Sequence, residues 1–342
     1  MGLLQAAFRP DDAIAALRML VRYRAELIQH RAPHSLHMQK ALQQMHMQLE
    51  RVLSDMIGTT GQLIIRAIVA GERDPVMLAQ HRNPACTSST ETIAKALTGT
   101  WKEELLFVLQ QALVLYDVYT AHIAVCDHQI EAYLQRMHAR SGNPDAPLPD
   151  LPPAKADSKT KNAPPPLTRA HIARIVGVDL VAVMGLSASG VQTIISEIGT
   201  DMSRFPRVKH FCAWWGVVPR NDISGGKVLR SRTRKVVNRA TQALHQAAQA
   251  VARSDSAIGA YYRAMRARKG PQQATVATAH KIARMIYHLL KYGEAYEPES
   301  AARYDQQRQE RELRARTRRA KKLGYALAPM GESTTAIPPE SG

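Results

Sequence analysis

From Lys102 to Met137 the apolar positions keep a strict four–three rhythm. Leu105, Leu109, Ala112, Tyr116, Tyr119, Ile123, Cys126, Ile130, Tyr133 and Met137 share one stripe for more than four heptads. Such a stripe constrains the fold more than any other feature, because a helix of this kind must be covered by another. A matching seam lies upstream. Met38, Leu42, Met45, Leu49, Val52 and Met56 alternate steps of four and three, which predicts a second helix over that span. The two seams fit an intramolecular hairpin, a dimer seam, or both. A methionine stripe also suits a promiscuous binding surface, but core packing is its commoner use. Asp11 and Asp12 predict an N-cap for a helix from about Ala13 to His30, with Pro33 as its breaker.

Other segments extend this mostly α fold class. Residues 58–100 are interrupted by Gly58, Gly61, Gly71, Pro75 and Pro84. They read as short helices near 61–70 and 75–81, then one capped at 87–90 and ending near Leu97. Residues 138–168 hold eight of the 19 prolines with little apolar content, and read as a flexible linker at a domain boundary. Ile172–Gly199 reads as helix, tight turn, helix. It resembles a helix-hairpin-helix, whose turn amides hold a DNA phosphate, except that Ser187 stands where a second glycine is usual. A plain helical pair explains the same residues equally well. Helices are predicted over Ser231–Arg253, 257–268 and Ala274–Tyr292. The last of these aligns Lys281, Arg284, His288 and Lys291 on one face.

Charge narrows the function. A net charge of +17 and a pI near 10 point to a polyanionic partner. Between Arg204 and Arg239 stand ten Lys/Arg and one acid, Asp222. Nine Lys/Arg against three acids follow between Arg303 and Lys322, a tail expected to lack a fold of its own and to add salt-dependent affinity for nucleic acid. No apolar run reaches the ~20 residues of a bilayer span, and the N-terminus lacks a signal-peptide pattern. Cys86, Cys126 and Cys212 are odd in number and far apart, as expected of reduced cytosolic thiols. The histidines show no metal-ligand spacing. A cytoplasmic, DNA-facing helical protein is expected.

Inside the basic region, Pro219 and Gly225-Gly226 mark a loop around Ser224. The glycines leave room for a phosphodiester beside the hydroxyl. Arg220, Lys227, Arg230, Arg232, Arg234, Lys235 and Arg239 surround it in sequence. By residue type alone, a serine in a Gly-rich loop is most often just a turn residue.

Several blocks alter that weighting. Gly199-Thr-Asp-Met-Ser-Arg-Phe-Pro, Phe211-Cys-Ala-Trp-Trp-Gly-Val-Val-Pro and Ile223-Ser-Gly-Gly-Lys come in order. Asn238-Arg-Ala, Ala257-Ile-Gly-Ala-Tyr-Tyr and Ala277-Thr-Ala-His-Lys-Ile-Ala follow. Together they resemble the second transposase domain of the IS110 family of insertion-sequence transposases, with its IS116 and IS902 relatives. The resemblance covers roughly residues 170–296, and more weakly the first 137. It implies DNA recombination with Ser224 as nucleophile, while the runs of basic residues themselves offer Arg220, Lys227, Arg230, Arg232, Arg234, Lys235, Arg239, Lys281 and Arg284 as DNA-binding residues. It also implies a preceding RuvC-like domain whose four acids hold Mg²⁺. Those acids precede a Phe-Arg-Pro block that stands here at Phe8-Arg9-Pro10, so no ligands for Mg²⁺ are identified and the chain reads as N-terminally truncated. Asp11 and Asp12 lie on the wrong side of that block.

The implied organisation is a helical remainder of the RuvC-like domain with coiled-coil helices over 1–137, a disordered linker over 138–168, a serine-bearing domain over 169–296 and a largely disordered basic tail over 297–342. Expected partners are DNA, an element-encoded guide RNA and further copies of the chain through the coiled-coil helices, with no membrane. The alternatives are a non-catalytic DNA-binding remnant that inhibits an intact transposase, and a helix-hairpin-helix repair accessory factor.

Overall fold

The computed structural model describes residues 11–137, 147–152, 161–233 and 238–327. It divides into two compact units: Met1–Pro147 with Lys159–His171 and Ser196–Gly199, and Leu148–Ser158 with Ile172–Ile195 and Thr200–Gly342.

The first unit is a helical hairpin with a small cluster at one end. Helix α1 spans Asp12–Gln44 and is capped by Asp11, whose Oδ1 accepts the Ile14 amide at 2.7 Å. Pro33 lies inside this helix rather than ending it, which corrects the break expected there. Pro33 and Gln29, whose carbonyl loses its helical donor there, are both exposed residues. An interior proline costs ~3 kcal/mol. Burying Met38 and Leu42 beyond it returns ~1.5–3 kcal/mol each, enough to carry the helix through.

The long helix α6, Glu103–Arg136, runs antiparallel to α1. Tyr133 donates its hydroxyl to the Ala13 carbonyl at one end, and His34 stacks on Tyr119 further along. Midway, the guanidinium of the buried Arg24 forks onto Asp127 (Nη2–Oδ2 3.2 Å). It also donates to the carbonyls of Asn162 and Ala163. The end of the expected linker is therefore docked on α1, whereas 138–146 and 153–160 lie outside the described residues. Helix α6 is long and apolar enough to cross a membrane by length and composition. It carries Asp117 and Asp127, however, each paired with an arginine of the unit.

The helix expected along the Met38–Met56 seam stops at Gln44, a second correction. His46 takes a left-handed φ of 63°, and Met47 returns its amide to the Leu42 carbonyl. Met45, Met47 and Leu49 thereby turn inward onto Ile64, Ile65 and Ile68. Short helices complete this cluster: α2 (Leu49–Val52), α3 (Thr59–Val69), α4 (Pro75–Ala79) and α5 (Thr90–Ala96). The seam was read correctly as core, but a globular cluster buries these side chains from more directions than one partner helix can.

The second unit is also helical, and takes in residues 172–176 of α7 (Leu167–Val176) and 188–195 of α8 (Ala188–Ile198). Ser187, standing where a second glycine was expected, caps α8: its Oγ accepts the Gly190 amide at 3.1 Å. Gly185 has φ +93°, and a Cβ there would lie 2.5 Å from Val251 Cγ1 and 2.6 Å from the Ala247 carbonyl. This glycine is required by packing against that neighbouring helix. Then come α9 (Val208–Trp214), a two-stranded hairpin, α10 (Arg239–Ala250), α11 (Ala257–Lys269), α12 (Pro271–Tyr292) and α13 (Ala301–Lys322). The tail expected to lack structure is helical over α13. Ala301 is buried, Tyr304 meets Tyr261 edge-on, and Glu–Arg pairs such as Glu312–Arg316 support its exposed length. Residues 328–342 lie outside the described part.

Two outcomes are expected. Arg24→Ala strands Asp127 and two carbonyls, so urea unfolding should show a loss of ~3 kcal/mol, much of it recovered in Arg24→Leu/Asp127→Leu. Burial pushes the Cys212 thiol up to about 11 and raises that of Cys126, whereas Cys86 is half-exposed. Thiol-reactive probes should therefore label Cys86 first in the native protein.

Candidate nucleic-acid interface

An aromatic knot organises the surroundings of Ser224. Trp215 and Phe211 are fully buried with ring centroids 5.4 Å apart. Phe205 and Tyr287 close around Phe211 at 5.1 and 5.5 Å. Tyr287 of α12 donates its hydroxyl to the Phe205 carbonyl at 3.0 Å. Thr241 of α10 donates to the Trp215 carbonyl at 2.8 Å. The chain leaves this knot at buried Val217 and returns to the core at buried Ala240. Between these two buried points, residues 219–233 are described as one segment.

That segment is a β-hairpin, which corrects both the loop expected around Ser224 and the helix expected from Ser231. Strand β1 (Pro219–Ser224) pairs antiparallel with β2 (Lys227–Thr233). The Gly225-Gly226 turn explains the choice. Their φ values are +56° and +74°, the signs of a type I′ turn, which matches strand twist and admits glycine at both central positions. A Cβ at either would meet nothing within 4 Å, so the demand is conformational rather than steric. Gly-Gly between residues of period two was a hairpin signal that the charge pattern had overshadowed. The next helix starts only at Arg239, where Asn238 caps it by accepting the Ala240 amide at 2.9 Å.

Ser224 is the last residue of β1, exposed and directly across the turn from exposed Lys227. Further along, Asp222 pairs with Arg230 and Arg220 with Arg232 in register. A bulge between Asp222 and Ile223 skips Leu229 in the pairing. Ile223 and Leu229 are 64% and 71% exposed, so the arm carries uncovered apolar side chains as well as charge. The strands thus bring Arg220, Lys227, Arg230 and Arg232 onto one arm with Ser224, while Arg234 and Lys235 lie outside the described residues. Arg239, half-buried, opens α10.

Lys281 and Arg284 stand elsewhere, lining a cavity with residues of α11 and α13. Lys281, offered by its charge stripe as a DNA-binding residue, has its ammonium against the rings of Tyr261 and Tyr304, at 4.9 and 5.0 Å. Lys291, from the same charge stripe, is committed to Tyr287 and the Pro206 carbonyl. Of the two histidines nearest Ser224 in sequence, His210 is exposed on α9, and His245 is half-buried on α10 with its pKa lowered by burial. Neither is hydrogen-bonded to Ser224 among the described residues. The described residues assemble no group of three or more His, Cys, Asp or Glu suited to a metal.

The site is thus a basic hairpin arm on a helical body, with a hydroxyl beside its turn. Residues 178–263 match the profile of the family described as Transposase IS116/IS110/IS902 family. This segment is similar to a transposase domain of that family, and the match spans the whole arm with Ser224. No individually curated protein matches the chain.

The turn can be tested apart from chemistry. Gly225→Val/Gly226→Val places two β-branched residues at positive φ, at ~1–2 kcal/mol each. Trypsin cleavage at Lys227 should rise several-fold, while the melting temperature of the chain should move by no more than roughly 3 °C. A large drop in melting temperature would instead make the hairpin part of the core.

Proposed function

We propose that this chain is a DNA transposase acting by phosphoryl transfer with Ser224 as nucleophile. The observation that carries this reading is the placement of Ser224, exposed at the tip of a basic arm that is anchored at both ends. In the proposed step, Ser224 Oγ attacks a phosphorus. The Oγ–P bond forms as the bond to one strand end breaks, and that strand end leaves with a proton. A second strand end later reverses the exchange, so the phosphoester bond is conserved and no nucleotide cofactor is consumed. A serine hydroxyl is a weak nucleophile until a base or a positive field activates it. Lys227 across the turn is the described cation best placed to supply that field and to neutralise the phosphorane.

DNA is the proposed substrate and partner, and an element-encoded RNA fits the same basic surfaces. Self-association is supported by α6, whose face away from the α1 seam exposes Phe107 (61%), Val114, Val118 and Val125 (60%) at heptad steps. Action in the cytoplasm, where such DNA resides, completes the reading. A second reading is a DNA-binding protein without catalysis, supported by the same basic hairpin, whose Lys and Arg residues suit phosphate binding whether or not Ser224 reacts.

The deciding experiment is a strand-exchange assay on paired donor and target DNA with Mg²⁺ and element RNA, using this chain and an N-terminally extended one. Ser224→Ala should abolish exchange and leave DNA binding within about twofold. Equal loss of binding and exchange would make the serine structural. Lys227→Ala should weaken binding and lower its salt slope by about one. An unchanged slope removes Lys227 from the contact surface.

A further inference from the structure

The cavity around Lys281 has no role in the reaction above. It opens between α11, α12, α13 and the loop at 293–300, with a volume of about 530 Å³, within the ~300–1,000 Å³ typical of small-ligand sites. Of its lining, only Tyr261 falls within the family match at 178–263.

Three features of its chemistry converge. First, the Lys281 ammonium is held by two tyrosine faces and makes no hydrogen bond among the described residues, so its N–H donors are uncommitted. Burial lowers its pKa, opposed by Glu299, as expected of a cation drawn partly out of water. Second, of the two acids in the lining, Glu297 and Glu299, it is Glu299 that acts on the Lys281 charge, and it is engaged elsewhere. Glu299 Oε1 accepts from Gln307 Nε2 at 2.9 Å and lies 3.7 Å from Arg303 Nε. Gln307 Oε1 in turn accepts from Arg311 Nη2 at 3.0 Å, which holds that guanidinium in the cavity wall. Third, Arg284 completes a set of three cations around a space also lined by Tyr261, Tyr296 and Tyr304. Cations alone would suit any anion. Cations interleaved with aromatic rings suit an anion joined to a flat ring.

We propose that this cavity receives one unpaired nucleotide of a nucleic-acid strand, its phosphate on Lys281, Arg284 and Arg311 and its base among the tyrosine rings. A paired nucleotide is excluded by shape, because a duplex presents phosphates on a convex surface and keeps its bases stacked. The inference rests on the reading of this chain as a nucleic-acid-handling protein.

The test uses the full chain with a labelled oligothymidylate of about 12 nucleotides, a duplex of equal length, thymidine monophosphate and inorganic phosphate. Lys281→Met keeps the apolar stem between the rings and removes the charge. Arg311→Gln changes only the cavity rim on α13, so it tests the same site without touching the core. Each should weaken single-strand binding about tenfold and duplex binding less than twofold. Equal losses on both would overturn the proposal in favour of plain backbone charge. Unchanged single-strand binding in both variants would leave Lys281 as a packing clamp. Thymidine monophosphate displacing the oligomer at micromolar concentration, where phosphate does not, would assign the cavity to a free nucleotide and overturn the strand assignment. A wild-type chain that binds neither strand nor duplex would instead remove the transposase reading itself.

Discussion

Burial of Trp215 and Phe211 against Tyr287 and Phe205 is the contact on which the second unit depends. Around Phe211 of α9, the rings of Trp215 just after it, Tyr287 of α12 and Phe205 of the turn between α8 and α9 stand 5–6 Å away, and two carbonyls of the knot are tied to α10 and α12. Large aromatic surfaces dominate core energetics, and edge-on ring pairs add geometry that aliphatic cores lack. This rigidity matters because an isolated two-stranded hairpin is marginal in water. Pinned at Val217 and Ala240, the arm can be short, basic and exposed without dragging the fold with it.

The arm separates two demands that conflict in a core. The phosphoryl transfer proposed above asks for cations and an accessible hydroxyl, which a packed interior cannot supply without desolvation cost. Placing Ser224 beside a glycine turn, away from the hydrophobic knot, meets both demands. The same logic runs in reverse at Lys281. There a cation has been drawn off the surface and enclosed by tyrosine faces, an arrangement that solvent alone does not favour.

In the first unit, the hairpin of α1 and α6 is fastened by polar contacts as much as by its seam. Arg24 links α1 to α6 through Asp127 and to residues 162–163 through their carbonyls. A buried guanidinium with this many acceptors is satisfied rather than strained. It fixes the register of two 33- and 34-residue helices that a repeating apolar stripe would leave free to slip by a heptad.

Much was legible in the chain before any coordinates. The heptad of α6, the caps at Asp11 and Ser89, the glycine breaks of the small cluster and the family blocks around Ser224 follow from local periodicity, local hydrogen bonding and residue type. The misreadings share one cause. Pro33, the Met45–Met56 seam, the strand at 227–233 and the tail helix each have a local preference that distant contacts override. Burial against α6 carries α1 through a proline, and the Ile64–Ile68 cluster bends a heptad into a globule. Strand pairing across Gly225-Gly226 captures an arginine run that helical propensity would also accept, and Tyr304 on Tyr261 anchors a helix with almost no apolar face. The sequence by itself determined the helical class, the basic character and the position of the serine, since these depend on residues near one another in the chain. Only the tertiary structure decided that the serine rides on a hairpin and that Lys281 sits among tyrosines, because those outcomes depend on which residues, far apart in sequence, share the same buried surface.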